Sequence, residues 1–219
     1  MKRKAFYGGS FDPLHNGHLL IARKLIELFA LDEFVFIPAF HAPHKKTKKP
    51  TSAFHRFAMI SLAINSESKI KISTVELDAP EKPFTFETQT KLVDELTDTE
   101  IFFVIGADSW QEIDTWREWE KVLTLTNIIV VTRPDFEISF SHVTEKIRDR
   151  IVDLRNADQE MKNNSRFTIG DSRIYITDAV FLDVSATEIR RKIRAGEDDW
   201  CELVPDEVAK HVEKYELYI

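Results

Sequence analysis

Cysteine is almost absent from this 219-residue sequence, which contains only Cys201. A single cysteine excludes an intrachain disulfide and fits the reducing cytoplasm, so we expect a cytoplasmic protein. Long apolar runs are absent as well, and no stretch approaches the roughly 20 residues that a membrane-spanning helix needs. The basic N-terminus reaches Gly8 after three apolar residues, which are too few for a signal peptide. The sequence therefore predicts no association with a membrane.

An excess of positive charge is also absent, because the formal net charge is −7. An acidic chain does not bind nucleic-acid phosphates in general, so we expect no nucleic-acid partner. Hydrophobic residues make up 43% of the chain and aromatic residues 11%, as in an ordinary globular protein. A chain of 219 residues with this composition is sufficient for one sizeable core, and it is compatible with a homo-oligomer.

Short apolar strands alternate with helical patterns along the chain, which is typical of a parallel sheet covered on both faces. The sequence thus predicts an α/β fold, a Rossmann-like doubly wound parallel sheet with helices on both faces and a short helical C-terminal tail. We treat 1–219 as one domain, with the sheet core in 1–184 and the helical segment in 185–219. Strands are predicted in KAFYGG (4–9), EFVFIP (33–38), KIKISTVEL (69–77), EIFFVIGAD (100–108), TNIIVVTRP (126–134) and the segment beginning RIYIT (173–177).

The helices predicted between these strands begin with residues 16–30, for which Asn16 is the expected N-cap. Further helices are predicted in AFHRFAMISLAI (53–64), ETQTKLVDEL (87–96) and a segment ending at Gly196. The polar stretch 136–172 is predicted to hold a helix and a variable loop. These patterns describe the scaffold, and the chemistry has to come from the segments between them.

The stretch GGSFDPLHNGH (8–18) begins with two glycines and ends with two histidines around Gly17, at the start of a predicted helix. Glycines let a ligand approach the backbone, and the free N–H groups of a helix start favour an anion. His15 and His18 are spaced to donate hydrogen bonds to a phosphate lying there. The alternative is a glycine turn with capping histidines. A metal site is not favoured, because no cysteine or carboxylate lies at ligand spacing beside the pair.

A second helix start lies in VSATEIR (184–190), where Ser185 and Glu188 form the capping-box pattern S-x-x-E. A structural cap alone explains both residues. The same helix start is also compatible with a phosphate, and Arg190, one turn further in, is suited to bind its oxygens bidentately.

The stretch GGSFDPLHNGH resembles the signature of the nucleotidylyltransferase superfamily, whose H-x-G-H is similar to the H-I-G-H of class I aminoacyl-tRNA synthetases. Further stretches, in matching order over nearly the whole chain, resemble the bacterial nicotinate-nucleotide adenylyltransferase family. They are IPAFHAPHK (37–45), PFTFET (83–88), IGADSW (105–110), TWREW (115–119), VTRP (131–134) and VSATEIR (184–190).

The resemblance implies transfer of AMP from ATP to nicotinate mononucleotide by direct attack, without a covalent enzyme intermediate, and with Mg²⁺ bound to ATP. The residues implied in catalysis are His15, His18 and Arg190. Those implied in ATP binding are Gly8, Gly9, Ser10, Phe11, His44, Lys45, Gly106, Asp108, Ser185 and Thr187. Those implied in binding the mononucleotide are Thr85, Trp116, Arg117 and Arg133, with Trp116 stacked on the pyridine ring and backbone N–H groups of Thr85 and Arg117 on its carboxylate. No protein metal ligand is implied.

Other functions remain open at this point. The same chemistry can act on nicotinamide mononucleotide or phosphopantetheine, or can transfer a cytidylyl group. A nucleotide-binding regulator without turnover is a further alternative, which intact His15, His18 and Arg190 disfavour. Trp116 and Trp119 are also compatible with an ordinary core or rim position.

Overall fold

The structure is a computed structural model that describes residues 1–40, 51–79, 81, 83–132, 137–155, 172–178 and 184–219. Seven strands in these residues form one sheet with the order β3-β2-β1-β4-β5-β7-β6. Every pair of neighbouring strands is parallel, which confirms the predicted fold class. The strands are β1 (Lys2–Gly9), β2 (Glu33–Pro38), β3 (Ile70–Ile72), β4 (Thr99–Gly106), β5 (Asn127–Val131), β6 (Ile151–Asp153) and β7 (Ile174–Thr177).

Helices cover both faces of this sheet because alternate residues of its central strands point to opposite sides and are buried on both. In β4, Phe102 packs in a cluster with residues of α1, whereas Phe103 packs in a cluster with residues of α5. None of the helices in the described residues is long and apolar enough to cross a membrane. The helices are α1 (Asn16–Leu28), α2 (Ala53–Ala63), α3 (Thr85–Glu95), α4 (Ala107–Gln111), α5 (Trp119–Leu125), α6 (Glu145–Arg148), α7 (Ala186–Ala195) and α8 (Asp206–Lys214).

The order of the strands reverses between β1 and β4, which are neighbours in the centre of the sheet. Ligands of open α/β sheets bind at such a switch point, beyond the carboxyl ends of the strands. Gly9 ends β1 and Gly106 ends β4, so both glycines lie at this position. The topology therefore predicts a ligand site beside the turns that follow these two strands.

Three local predictions differ from the structure. Strand β3 is shorter than predicted, because Asp78 N donates to the carbonyl of Thr74 at 2.8 Å and turns the chain away from the sheet. The edge strand β6 falls in the stretch predicted to hold only a helix and a loop. Asn16 is the first residue of α1 rather than its N-cap, which is His15, and the Asn16 side chain instead donates to the carbonyl of Glu202 at 2.9 Å.

The C-terminal helices pack against α2 through a third apolar cluster that includes Met59, Ile189 and Val208. The Ser185 side chain caps α7 by accepting from Glu188 N at 3.2 Å. The Glu188 carboxylate binds Arg191 instead of returning to the cap, so only half of the predicted capping box forms. Gly196 ends α7 with φ of 70°, a left-handed conformation that glycine adopts without strain.

Candidate active site

A cavity of about 540 Å³ lies at the switch point of the sheet, a volume typical of small-molecule sites. A Cβ at Gly106 would have no atom within 4 Å, so this glycine faces open space in the cavity. The first turn after β1 lines one end through Gly8, Gly9, Ser10, His15, Gly17 and His18. The rest of the wall includes Glu76, Phe84, Thr85, Gly106, Asp108, Trp116 and Arg117.

The turn after β1 is shaped by Phe11, whose side chain lies in the core with 3% of its surface exposed. Its backbone has φ of 48°, which is unusual for a residue other than glycine. Contacts with the rings of Tyr7, His18 and Phe36, at centroid distances of 5.0–5.5 Å, hold it there. Gly9 is required beside it, because a Cβ at that position would lie 2.9 Å from the Phe11 ring. The Phe11 side chain therefore shapes the turn rather than lining the cavity.

His15 and His18 are stacked at the start of α1, with ring centroids 3.6 Å apart. His15 N donates to His18 Nδ1 at 3.2 Å. Because Nδ1 accepts this bond, the neutral imidazole of His18 carries its proton on Nε2. The fold thus presents His18 as a hydrogen-bond donor within the cavity, beside the N-terminus of α1, where an anion is favoured.

Thr85, Trp116 and Arg117 all line this cavity as well. Thr85 is the first residue of α3, and its backbone N–H has no hydrogen-bond partner among the described residues. Arg117 lies between two short helices, and its backbone N–H also has no hydrogen-bond partner in the part of the chain that the structure describes. The Arg117 guanidinium lies 4.8 Å from the centre of the Phe84 ring. Two backbone donors are therefore left beside a large aromatic surface.

The middle of the cavity is formed by the end of β4 and the first turn of α4. Gly106 is the N-cap of α4 and Asp108 lies in its first turn. Both residues line the cavity, so the structure brings them together with the histidines of the first turn. Trp119, the second tryptophan of TWREW, is not among the described residues that line the cavity, and it packs partly buried against the core.

Arg190 reaches the same turn from α7. Its Nη1 donates to the carbonyl of Asp12 at 2.5 Å, and its Nη2 donates to Thr187 Oγ1 at 3.3 Å. Ser185, Thr187 and Arg190 are not among the described residues that line the cavity. The arginine therefore contacts the backbone of the turn.

Arg56 supports this turn from within the core and was missed by the sequence analysis. It is 1% exposed and donates to the carbonyls of Ser10, Phe40 and Thr51 at 2.8, 3.2 and 3.0 Å. Burial lowers the pKa of its guanidinium, and the charge of Asp12 opposes this effect. A buried arginine thus ties the turn after β1 to residues on either side of 41–50.

Asp12 joins the C-terminal segment to the same turn. Its carboxylate accepts a hydrogen bond from Tyr218 Oη at 2.7 Å and another from Thr51 N at 3.2 Å. Burial, together with the Asp12 carboxylate, raises the pKa of the Tyr218 hydroxyl. The structure thus gives Asp12 a role in ordering the turn.

Glu76 lines the cavity and was also missed by the sequence analysis. It follows β3, in a segment predicted to be strand, and its Oε1 accepts a hydrogen bond from Thr88 Oγ1 at 3.1 Å. Burial raises the pKa of the Glu76 carboxyl to about 7. His44, Lys45 and Arg133 lie outside the described residues, so their predicted roles stay predictions.

The described residues contain no group of three histidine, cysteine or acidic side chains that could hold a metal ion. Among the described residues, Glu76 and Asp108 are the acidic side chains that line the cavity. A magnesium ion that enters on phosphate oxygens and keeps several waters does not require a protein cage, so the donor set present is compatible with it.

Residues 6–192 match the cytidylyltransferase-like family. A relative from Desulfatibacillum aliphaticivorans, named a probable nicotinate-nucleotide adenylyltransferase, is 33% identical and covers 99% of this chain and 100% of its own length. A relative from Clostridium tetani with the same name is 33% identical, with 100% of both chains covered. The solved structure of Plasmodium falciparum nicotinic acid mononucleotide adenylyltransferase complexed with NaAD shares the fold, with a TM-score of 0.73 at 21% identity over 100% of this chain and 98% of that one. This chain therefore belongs to the cytidylyltransferase-like family and, within it, to the nicotinate-nucleotide adenylyltransferases.

Proposed function

We propose that the protein transfers AMP from ATP to nicotinate mononucleotide. An oxygen of the mononucleotide phosphate attacks the α-phosphorus of ATP, the bond from this phosphorus to the bridging oxygen breaks, and pyrophosphate leaves. The products are nicotinate adenine dinucleotide and pyrophosphate. The names of the relatives support this reaction. In this chain, the observation that carries it is the pair of backbone N–H donors of Thr85 and Arg117 beside Trp116, in the same cavity as His18.

The phosphate end of the reaction is assigned to the turn after β1. We assign Gly8, Gly9 and Ser10 to backbone contact with the ATP phosphates, which the adjacent start of α1 favours electrostatically. His18 donates from Nε2 to oxygens on which charge builds in the transition state, and His15 supports the same phosphates. No side chain acts as a nucleophile, so the rate enhancement comes from positioning and charge stabilisation.

The pyridine end is assigned to the opposite wall. Trp116 offers its ring for stacking, and the N–H groups of Thr85 and Arg117 donate to the pyridine carboxylate. Two backbone N–H donors suit a carboxylate, whose oxygens only accept hydrogen bonds. The Arg117 guanidinium adds positive charge nearby, because it lies over the Phe84 ring at the edge of the cavity.

The remaining ATP contacts are assigned to residues around the turn. Gly106 and Asp108 would meet ribose hydroxyls, and Ser185 and Thr187 the phosphates. Arg190 uses two of the five N–H donors of its guanidinium within the protein. Its other donors are assigned to the pyrophosphate, so the same side chain holds the turn and binds the leaving group. His44, Lys45 and Arg133 keep the substrate-binding roles implied by the resemblance.

We further propose that Mg²⁺ accompanies ATP and neutralises charge on its phosphates, without a dedicated set of protein ligands. We propose the cytoplasm as the location of the reaction. The single cysteine is compatible with that compartment.

The direct test is product formation. Purified protein incubated with ATP, Mg²⁺ and nicotinate mononucleotide should release pyrophosphate, and mass spectrometry should detect nicotinate adenine dinucleotide in equal amount. CTP in place of ATP, and phosphopantetheine in place of the mononucleotide, serve as comparisons and should give little product. Binding of ATP without any product would instead support a regulator, and faster reaction with CTP or phosphopantetheine would contradict the assigned substrates.

A further inference from the structure

Glu76 places a carboxyl group on the pyridine side of the cavity. Its Oε1 is bound by the hydroxyl of Thr88, and among the described residues this is its only hydrogen-bond partner. Thr88 lies three residues after Thr85 on α3, so the two side chains are neighbours on the same face of the helix. The hydrogen bond with Thr88 therefore ties the carboxyl group of Glu76 to the start of α3, whose first backbone donor we assign to the pyridine carboxylate.

We propose that Glu76 is a specificity-determining residue, whose carboxyl group faces the substituent of the pyridine ring and sets the preference between an acid and an amide. This inference rests on the proposed function, because it assumes that the pyridine ring binds beside Trp116. The acidic side chain lines a cavity that the substrate's own carboxylate is proposed to enter. The protonation state of Glu76 therefore decides whether the substrate meets a neutral group or a like charge.

The two states of Glu76 act differently on the two substrates. An ionised Glu76 repels the carboxylate of nicotinate mononucleotide, and like charges within about 6 Å of each other near a protein surface interact strongly enough to lower affinity by about tenfold or more. The carboxamide of nicotinamide mononucleotide carries no charge, and its NH₂ group can donate to an ionised Glu76. A neutral Glu76 no longer repels the substrate carboxylate. It also no longer offers a charged acceptor to the NH₂ group of the carboxamide.

The protonation of Glu76 changes within the range of ordinary assays. Burial raises its pKa to about 7, and the hydrogen bond from Thr88 acts in the opposite direction. The side chain is neutral below this pH and becomes ionised as the pH rises through it. The preference for nicotinate mononucleotide over nicotinamide mononucleotide should therefore be strongest below about pH 7.

Other charged or titratable groups face the same region. In the described residues, His15, His18, Asp108 and Arg117 line the cavity. On the neighbouring elements, Asp78 accepts from the Thr74 hydroxyl and Glu87 accepts from Phe84 N. The histidines are assigned to phosphates that are present with both substrates. Any effect of pH on these contacts therefore changes both kcat/KM values alike and leaves their ratio unchanged.

The test measures kcat/KM for nicotinate mononucleotide divided by kcat/KM for nicotinamide mononucleotide at several pH values. Between about pH 6 and pH 8.5 the ratio should fall about tenfold in the unchanged protein. In Glu76→Gln the ratio should stay near the low-pH value throughout. The amide oxygen of Gln still accepts from Thr88, so this variant keeps the local hydrogen bond.

Two further variants separate titration of Glu76 from general effects of charge. Asp94→Asn removes one negative charge from the exposed part of α3 and should keep the pH dependence of the ratio. Thr88→Val removes the hydroxyl that stabilises the ionised carboxyl and should move the midpoint of the fall to higher pH.

A ratio that does not change with pH in the unchanged protein, while nicotinate mononucleotide is used efficiently, would overturn the inference. Equal loss for both substrates in Glu76→Gln would also overturn it, because it would place Glu76 on a group that the substrates share, such as the ribose. No turnover of nicotinate mononucleotide at any pH would be a failure of the proposed function instead.

Discussion

His18→Ala should fold and should lose about 10²–10³-fold in kcat for AMP transfer, the typical effect of removing one donor that stabilises charge in a transition state. The structure gives the physical reason. His18 Nδ1 is held by the backbone N–H of His15, so Nε2 is the donor, and the ring lines the cavity beside the N-terminus of α1. Phe11, which the His18 ring contacts, is also held by Tyr7 and Phe36, so its packing should persist in the variant. Turnover of the purified variant measures the loss in kcat, and circular dichroism checks that the variant is folded.

The matched control is His211→Ala. His211 lies on α8 and contacts His55, at 3.1 Å between ring nitrogens, away from the cavity-lining residues named above. This variant should keep turnover close to that of the unchanged protein. A folded His18→Ala variant with comparable turnover would remove His18 from the catalytic assignment.

Arg56→Met should lower the free energy of unfolding by about 3 kcal/mol or more. Methionine fills a similar volume but donates no hydrogen bond, so the carbonyls of Ser10, Phe40 and Thr51 lose their buried donor. Each buried carbonyl left without a partner costs about 1–3 kcal/mol. Equilibrium unfolding in urea, with the midpoint and slope fitted separately, measures the change.

Arg191→Met is the matched control for loss of an arginine. Arg191 has a side-chain exposure of 53% and forms ion pairs with Glu188 and Glu197 on the surface of α7. Because exposed ion pairs contribute little to stability, its unfolding midpoint should change little. An Arg56→Met variant as stable as Arg191→Met would show that the buried hydrogen bonds of Arg56 do not hold the turn.

Sequence patterns were sufficient for the central part of the fold. Strands β1, β2 and β4 are apolar on both faces and end in glycine or proline, which marks buried parallel strands and their carboxyl ends. Short edge strands carry less information. The three residues Ile151–Asp153 of β6 are too few for a periodic pattern, and β3 ends at Ile72 because of a turn that depends on Thr74 and Asp78.

The site was predictable where its residues are neighbours in sequence. The spacing of His15 and His18 after Gly8 and Gly9 predicted that this turn forms part of a site, and the structure brings these residues together with Trp116 in one cavity. Glu76 and Arg56 were missed because their contacts join distant parts of the chain. Each left a signal, since a charged residue interrupts the apolar patterns KIKISTVEL and AFHRFAMISLAI. A buried charge in such a pattern requires a partner, but the pattern alone does not say which one.

The identity of the acceptor is tested most directly by kcat/KM for nicotinate mononucleotide and for nicotinamide mononucleotide, measured with saturating ATP at about pH 6.5, where Glu76 is mainly neutral. The backbone N–H groups of Thr85 and Arg117 donate to both oxygens of a carboxylate, whereas a carboxamide turns its NH₂ group toward one of them and leaves that donor unpaired. This mismatch should cost about 1–3 kcal/mol, so the value for nicotinate mononucleotide should be at least about tenfold higher. Equal values, or a higher value for nicotinamide mononucleotide, would contradict the assignment of this cavity to the acid.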